Sequence, residues 1–167
     1  MKLEDLIRYS LQSSSSRITG AIKNNLSDLD ERNVLKSSFA FTGGISRGME
    51  TLNNEVIELI RKIAKLNLTT KDVEIISSNI NKFIHEQRDE ILKICSELTG
   101  YSFEQVDYSR SLNIKLNETR AMVEIELGII KKQIIDKRNQ TRWDVFKMVI
   151  SSIIGAVITL VVRLMIE

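Results

Sequence analysis

No proline occurs among the 167 residues, and cysteine, histidine and tryptophan occur once each. Proline is the strongest helix breaker and averages about 5% of residues, so its absence, beside abundant Ile, Leu, Lys, Glu and Asn, favours long helices. A single cysteine rules out an intrachain disulfide, and one Cys with one His rules out a Cys/His zinc site within the chain. His85 and Cys95 do not make a catalytic pair either. On one helix, ten residues apart, they would be separated by about 15 Å axially and roughly 80° around the axis, too far to share a proton. His85, beside Glu86 and Arg88, reads as a solvated surface residue, and Cys95, near Ile91 and Leu98, as a small core hydrophobe.

Aromatics are also scarce, at 5%. No segment interleaves them with basic residues as base stacking requires, so nucleic acid is not an expected partner. Carboxylates do cluster, at Glu86, Asp89 and Glu90 and again at Glu118, Glu124 and Glu126, but Lys and Arg are interspersed at pairing distances. Such clusters read as solvated helix faces, and the expectation is a chain without enzymatic activity and without a cofactor or metal.

Charge of one sign is present but local. From Ile129 to Lys147 there are six basic and two acidic residues, a balance of +4 within a chain of net +2. Directly beyond lies the longest apolar run: Met148 to Val162 is fifteen residues without a charge, opened by Lys147 and closed by Arg163. Fifteen residues at about 1.5 Å each cover only ~22 Å, against a hydrocarbon core of roughly 30 Å. Val145 and Phe146 before the run, Leu164 to Ile166 after it, and snorkelling by Lys147 and Arg163 lengthen it, which makes a C-terminal membrane anchor the expectation. Lys137, Arg138, Arg142, Trp143, Lys147 and Arg163 are then its membrane-interface residues, in contact with an anionic leaflet. The excess of positive charge on the N-terminal flank orients it with the N-terminus cytoplasmic, and residues 1 to 30 carry no competing signal sequence. Richness in Ile, Asn and Lys resembles proteins of A+T-rich bacterial genomes, so the expected location is the bacterial inner membrane.

Within the run, Ser151, Gly155 and Thr159 recur every four residues, with Ser152 and Ala156 beside them. Small residues at that spacing let helices approach closely, so self-association is expected there.

The remaining 140 or so residues are enough for one domain with a core. Leu3, Leu6, Ile7 and Leu11 define a short amphipathic helix over Lys2 to Gln12, ended by the polar run Ser13 to Ser16. Ile18, Ile22, Leu26 and Leu29 suggest a second piece, weakened by Gly20, Asn24 and Asn25. Phe39 to Gly48 reads as a loop. Gly43, Gly44, Ser46 and Arg47 in it are the one place where backbone N–H groups could receive an anion, although the stretch lacks the Lys and Ser/Thr pair of a P-loop.

Met49 to Leu66 places Leu52, Val56, Ile60 and Ile63 on one face. Thr69 and Asp72 mark the start of a helix of some 25 residues that ends before Gly100. Ser102 with Gln105 fits a capping box for the last helix, in which Leu116, Val123, Leu127, Ile130 and Ile134 follow helical spacing and Met122, Ile125 and Ile129 widen the apolar side. Leu112 to Leu127 also alternates as a hairpin would, but no Gly or Pro occupies the turn at Asn117 to Arg120, so helix is preferred.

The fold class expected is all-α: a cytosolic helical bundle or coiled coil with one C-terminal transmembrane helix. Residues 1–48 form an N-terminal helical segment and glycine loop, 49–142 a bundle with a basic end, and 143–167 the anchor. The expected role is a membrane-tethered interaction or sensor module that forms homo-oligomers and binds a protein partner; the alternative is a membrane-permeabilising effector such as a bacterial toxin or defence protein.

Overall fold

The computed structural model describes residues 3–166 except Gln105 and Asp107, with side chains described up to Ile153 and Gly155. It consists of α1 (Leu3–Glu31), α2 (Ser38–Ile63), α3 (Thr70–Thr99) and α4 (Ser109–Ile166), with no strand among the described residues. The hairpin alternative over 112–127 is therefore helix. Two compact units divide the chain, Met1–Ile130 and Lys131–Glu167.

In the first unit, α1, α2 and α3 run up, down and up. Direction follows from which residues meet: Leu26 and Ile22 of α1 lie against Gly44 and Gly48 of α2, and Cys95 and Ile91 of α3 lie against the same two glycines in the same order. A Cβ on Gly44 would stand 2.9 Å from Cys95 Sγ, and one on Gly48 would stand 2.9 Å from both Ile22 Cδ1 and Ile91 Cγ2. The two glycines, four residues apart, are the contact point of three helices, and their lack of a side chain is what lets the backbones come together. Phe39 to Gly48 is thus helix rather than loop. Packing offsets the roughly 1 kcal/mol that each mid-helix glycine costs relative to alanine.

Helix α1 is continuous through Ser13 to Ser16, where a break was expected. Ser14 is buried and donates to Glu55 of α2 at 2.9 Å, while Ser15 accepts from Gln87 of α3 at 3.0 Å. Two of the four serines thus have partners on neighbouring helices, while the exposed Ser13 accepts from Arg17 and Ser16 donates to Gln12 O of its own helix.

The ends of α3 follow local rules. Thr69 N–H donates to Asp72 at 2.7 Å and Asp72 N–H donates back to Thr69 Oγ1, a reciprocal cap, and Gly100 closes the helix at φ 77° with its N–H on Ser96 O. Ser37 caps α2 one way only, its side chain accepting from Ala40 N–H at 3.1 Å. The start of α4 differs from expectation. Leu112 N–H bonds to Tyr108 O, so the helix begins at Ser109 rather than Ser102; Gln105, the other half of the anticipated capping box, lies outside the described residues.

Within the first unit α4 buries Leu112, Leu116, Thr119, Val123, Leu127 and Ile130, spaced by three or four residues. It is tied to α2 by Arg61, whose guanidinium donates to Glu126 at 2.6 and 2.9 Å, and to α3 by Arg120, 2.8 Å from His85 Nε2.

Among the described residues no helix is long and apolar enough to cross a membrane. This overturns the single-pass anchor with a cytoplasmic N-terminus in a bacterial inner membrane. The physical reason lies in Lys147 and Arg163, which hold the uncharged run to fifteen residues. Every residue recruited to lengthen the run lies beyond one of those two charges, and the ~22 Å between them falls short of a hydrocarbon core of roughly 30 Å.

Candidate interaction surface

Each part of α4 presents apolar side chains to solvent. In the first unit the helix carries a second stripe, Ile114, Met122, Ile125 and Ile129, all about half exposed or more. At 100° per residue it lies well over a quarter turn from the buried stripe, so the two are separate faces.

In the second unit, apart from the half-buried Ile134 and Ile135, every side chain from Lys131 to Ile153 is exposed. Trp143, Val145, Phe146, Met148, Val149, Ile150 and Ile153 all belong to this exposed set. The rings of Trp143 and Phe146 stack, 5.6 Å between centroids and 23° between planes, and Lys147 Nζ lies 5.6 Å from the centre of the Trp143 ring. Seven large apolar residues in eleven positions make a helix surface with little polar face, which in water calls for cover.

Lys137, Arg138, Arg142, Trp143 and Lys147, the expected interface residues, are all exposed on α4 of the second unit; the side chain of Arg163 lies outside those described. Of the expected close-packing residues, Ser151, Ser152 and Gly155 are exposed, and a Cβ on Gly155 would meet nothing within 4 Å. Ser152 Oγ donates to Met148 O at 2.9 Å, while the side chains of Ala156 and Thr159 are not among those described. The anticipated anion loop is interior helix: Gly44 is in the core, Gly43 approaches Asn25, and Arg47 pairs with Glu50 at 3.1 Å. Its backbone N–H groups serve the helix ladder, which leaves no cradle for an anion.

The close-packing glycines that sequence reasoning missed are Gly44 and Gly48. Their signal was present, because Ala40, Gly44, Gly48, Leu52 and Val56 form one row at spacing four once glycine is counted as a small core residue.

Electrostatics in the first unit centre on Glu55. Arg17 donates to both its oxygens through Nε and Nη2, at 2.6 and 2.5 Å, and Ser14 adds a third bond. Arg17 accordingly holds the Glu55 carboxyl below the usual carboxylate range, and Glu55 raises the Arg17 guanidinium in turn. Backbone and hydroxyl donors of Thr69 hold Asp72 low as well. Burial pushes the Cys95 thiol up to about 12, the opposite of what a nucleophile needs. His85 is exposed and faces Arg120, and among the described residues no group of three or more His, Cys, Asp or Glu could hold a metal ion.

No protein-family model, curated protein or solved structure matches this chain.

Proposed function

We propose that the chain is a non-enzymatic interaction module: a helical bundle that presents a self-associating helix, α4, and works by assembling copies of itself. One observation carries this reading. Trp143 to Ile153 exposes all seven of its large apolar side chains, whereas the first unit buries most of its own and leaves the others scattered or in the short α4 stripe. Helix-forming sequence with a largely apolar surface and only a narrow polar face is stable in water only when something covers it, and another copy of the same helix is always present at equal concentration.

The chemistry-bearing residues support association over catalysis. The lone thiol is buried and the lone imidazole is exposed on an Arg contact.

Sedimentation velocity of the full chain at tens of micromolar tests the proposal against the Ile150→Glu variant. The full chain should sediment well above its 19.1 kDa monomer mass. The variant should be monomeric, because a carboxylate in a desolvated seam costs several kcal/mol, equivalent to at least about a hundredfold weaker association. A monomeric full chain would sink the reading.

A further inference from the structure

Trp143, Phe146, Ile150 and Ile153 are separated by three, four and three residues, and all four are exposed, at 56, 52, 39 and 58%. That is the alternating spacing of a two-position heptad seam, in which each apolar side chain inserts between four residues of a facing helix. The sequence keeps the same spacing at Val157 and Leu160. An apolar patch for an unrelated globular surface has no need of a 3.5-residue repeat. A facing helix does.

Charge decides which way the facing helix runs. All six cations between Lys131 and Lys147 lie on the N-terminal side of Met148, with only Asp136 and Asp144 among them. Carried backwards, the heptad puts Lys132 and Asp136 in the seam and Arg142 and Lys147 on its two flanks. In a parallel, in-register pair Lys132 would face Lys132, Asp136 would face Asp136, and Arg142 of one copy would lie beside Lys147 of the other. Every one of those is a like-charge meeting. Turning one helix round sends the two cationic segments to opposite ends and leaves apolar residues to meet apolar residues.

Resting on the self-association proposed above, we infer that two copies of this chain pair antiparallel through the second unit of α4, with Ile150 of one copy against Ile153 of the other. Val149 and the Lys147 stem flank the seam, and Val145 and Met148 lie on the far side of the helix.

Disulfide trapping in the full chain tests the register. Cys95 is fully buried, so the unmutated chain is the blank. Ile150→Cys and Ile153→Cys are each oxidised alone and then as an equimolar mixture. The expected result is a mixed disulfide in the mixture, forming at least tenfold faster than either variant couples to itself. Self-coupling of Ile150→Cys at the rate of the mixture would overturn the antiparallel seam in favour of a parallel one. Absence of any trapped pair, in a chain that still sediments as an oligomer, would overturn the seam while leaving self-association intact. Sedimentation as a monomer would remove both.

Discussion

One helix, α4, is used in two ways along its length. In the first unit it hides Leu112, Leu116, Val123, Leu127 and Ile130 and adds the Arg61–Glu126 contact with α2 and the Arg120–His85 contact with α3. In the second unit, Trp143 to Ile153 is at least as apolar and hides none of it. The contrast separates two meanings of hydrophobicity in a sequence. Apolar residues alternating with polar ones at helical spacing say which face is covered within the chain; apolar residues on nearly all faces say only that cover is needed.

The strongest way to break this comparison is to truncate one residue of each kind. Leu116→Ala should lower the free energy of unfolding by about 2–5 kcal/mol, because it empties a site only 4% exposed. Phe146→Ala, at 52% exposed, should leave the urea midpoint of the first unit unchanged and lower the oligomer mass instead. Equal destabilisation by both would mean that the second unit is covered within the chain after all.

Glycine gives the next largest contrast. Gly48→Leu forces a side chain into space already held by Ile22 and Ile91, at an expected cost of about 3 kcal/mol. Gly155→Leu meets nothing within 4 Å and removes a helix-weakening glycine, so its effect on unfolding should be near zero or slightly stabilising. Urea titrations of both variants, followed by circular dichroism, provide the check.

The smallest expected effect sharpens how the first unit is held. Glu55 takes bonds from Arg17 and Ser14 across α1 and α2, and its carboxyl is held below the ordinary value of 4.5. A depressed folded value means that the contact stabilises at neutral pH and fades as pH falls below the ordinary value toward the depressed one. Glu55→Gln should therefore cost about 1 kcal/mol at pH 7, and its difference from the unmutated chain should shrink steadily as pH falls below the ordinary carboxylate range. A difference that persists in acid would assign the loss to packing instead of charge.

These contrasts also explain what could be read without coordinates. The ends of α3 were legible because Thr69, Asp72 and Gly100 act on their own backbone and need no distant partner. The continuity of α1 was not, since Ser13 to Ser16 is a poor local helix former whose buried member bonds to a residue 41 positions away. For α2 the error had the same origin: Gly44 and Gly48 look like loop residues until Ile22, Leu26, Ile91 and Cys95 are known to press on them. On α4 the spacing identified Leu116, Val123, Leu127 and Ile130 correctly as one face. It grouped Met122, Ile125 and Ile129 with that face, but they are exposed on another. The C-terminal run was misjudged by length, because stretching it past Lys147 and Arg163 assumed that long cationic stems could make up the missing ångströms.

Gly44 and Cys95 together have a practical consequence. With Sγ packed on a backbone that leaves no room even for a methyl group, the thiol meets solvent only when the three-helix junction comes apart. Alkylation of the unmodified protein is then a clock for that event, its rate being the free-thiol rate multiplied by the fraction of time the bundle is open. The chain carries its own single-site label, silent while folded, by which every purified variant above that adds no cysteine can be ranked.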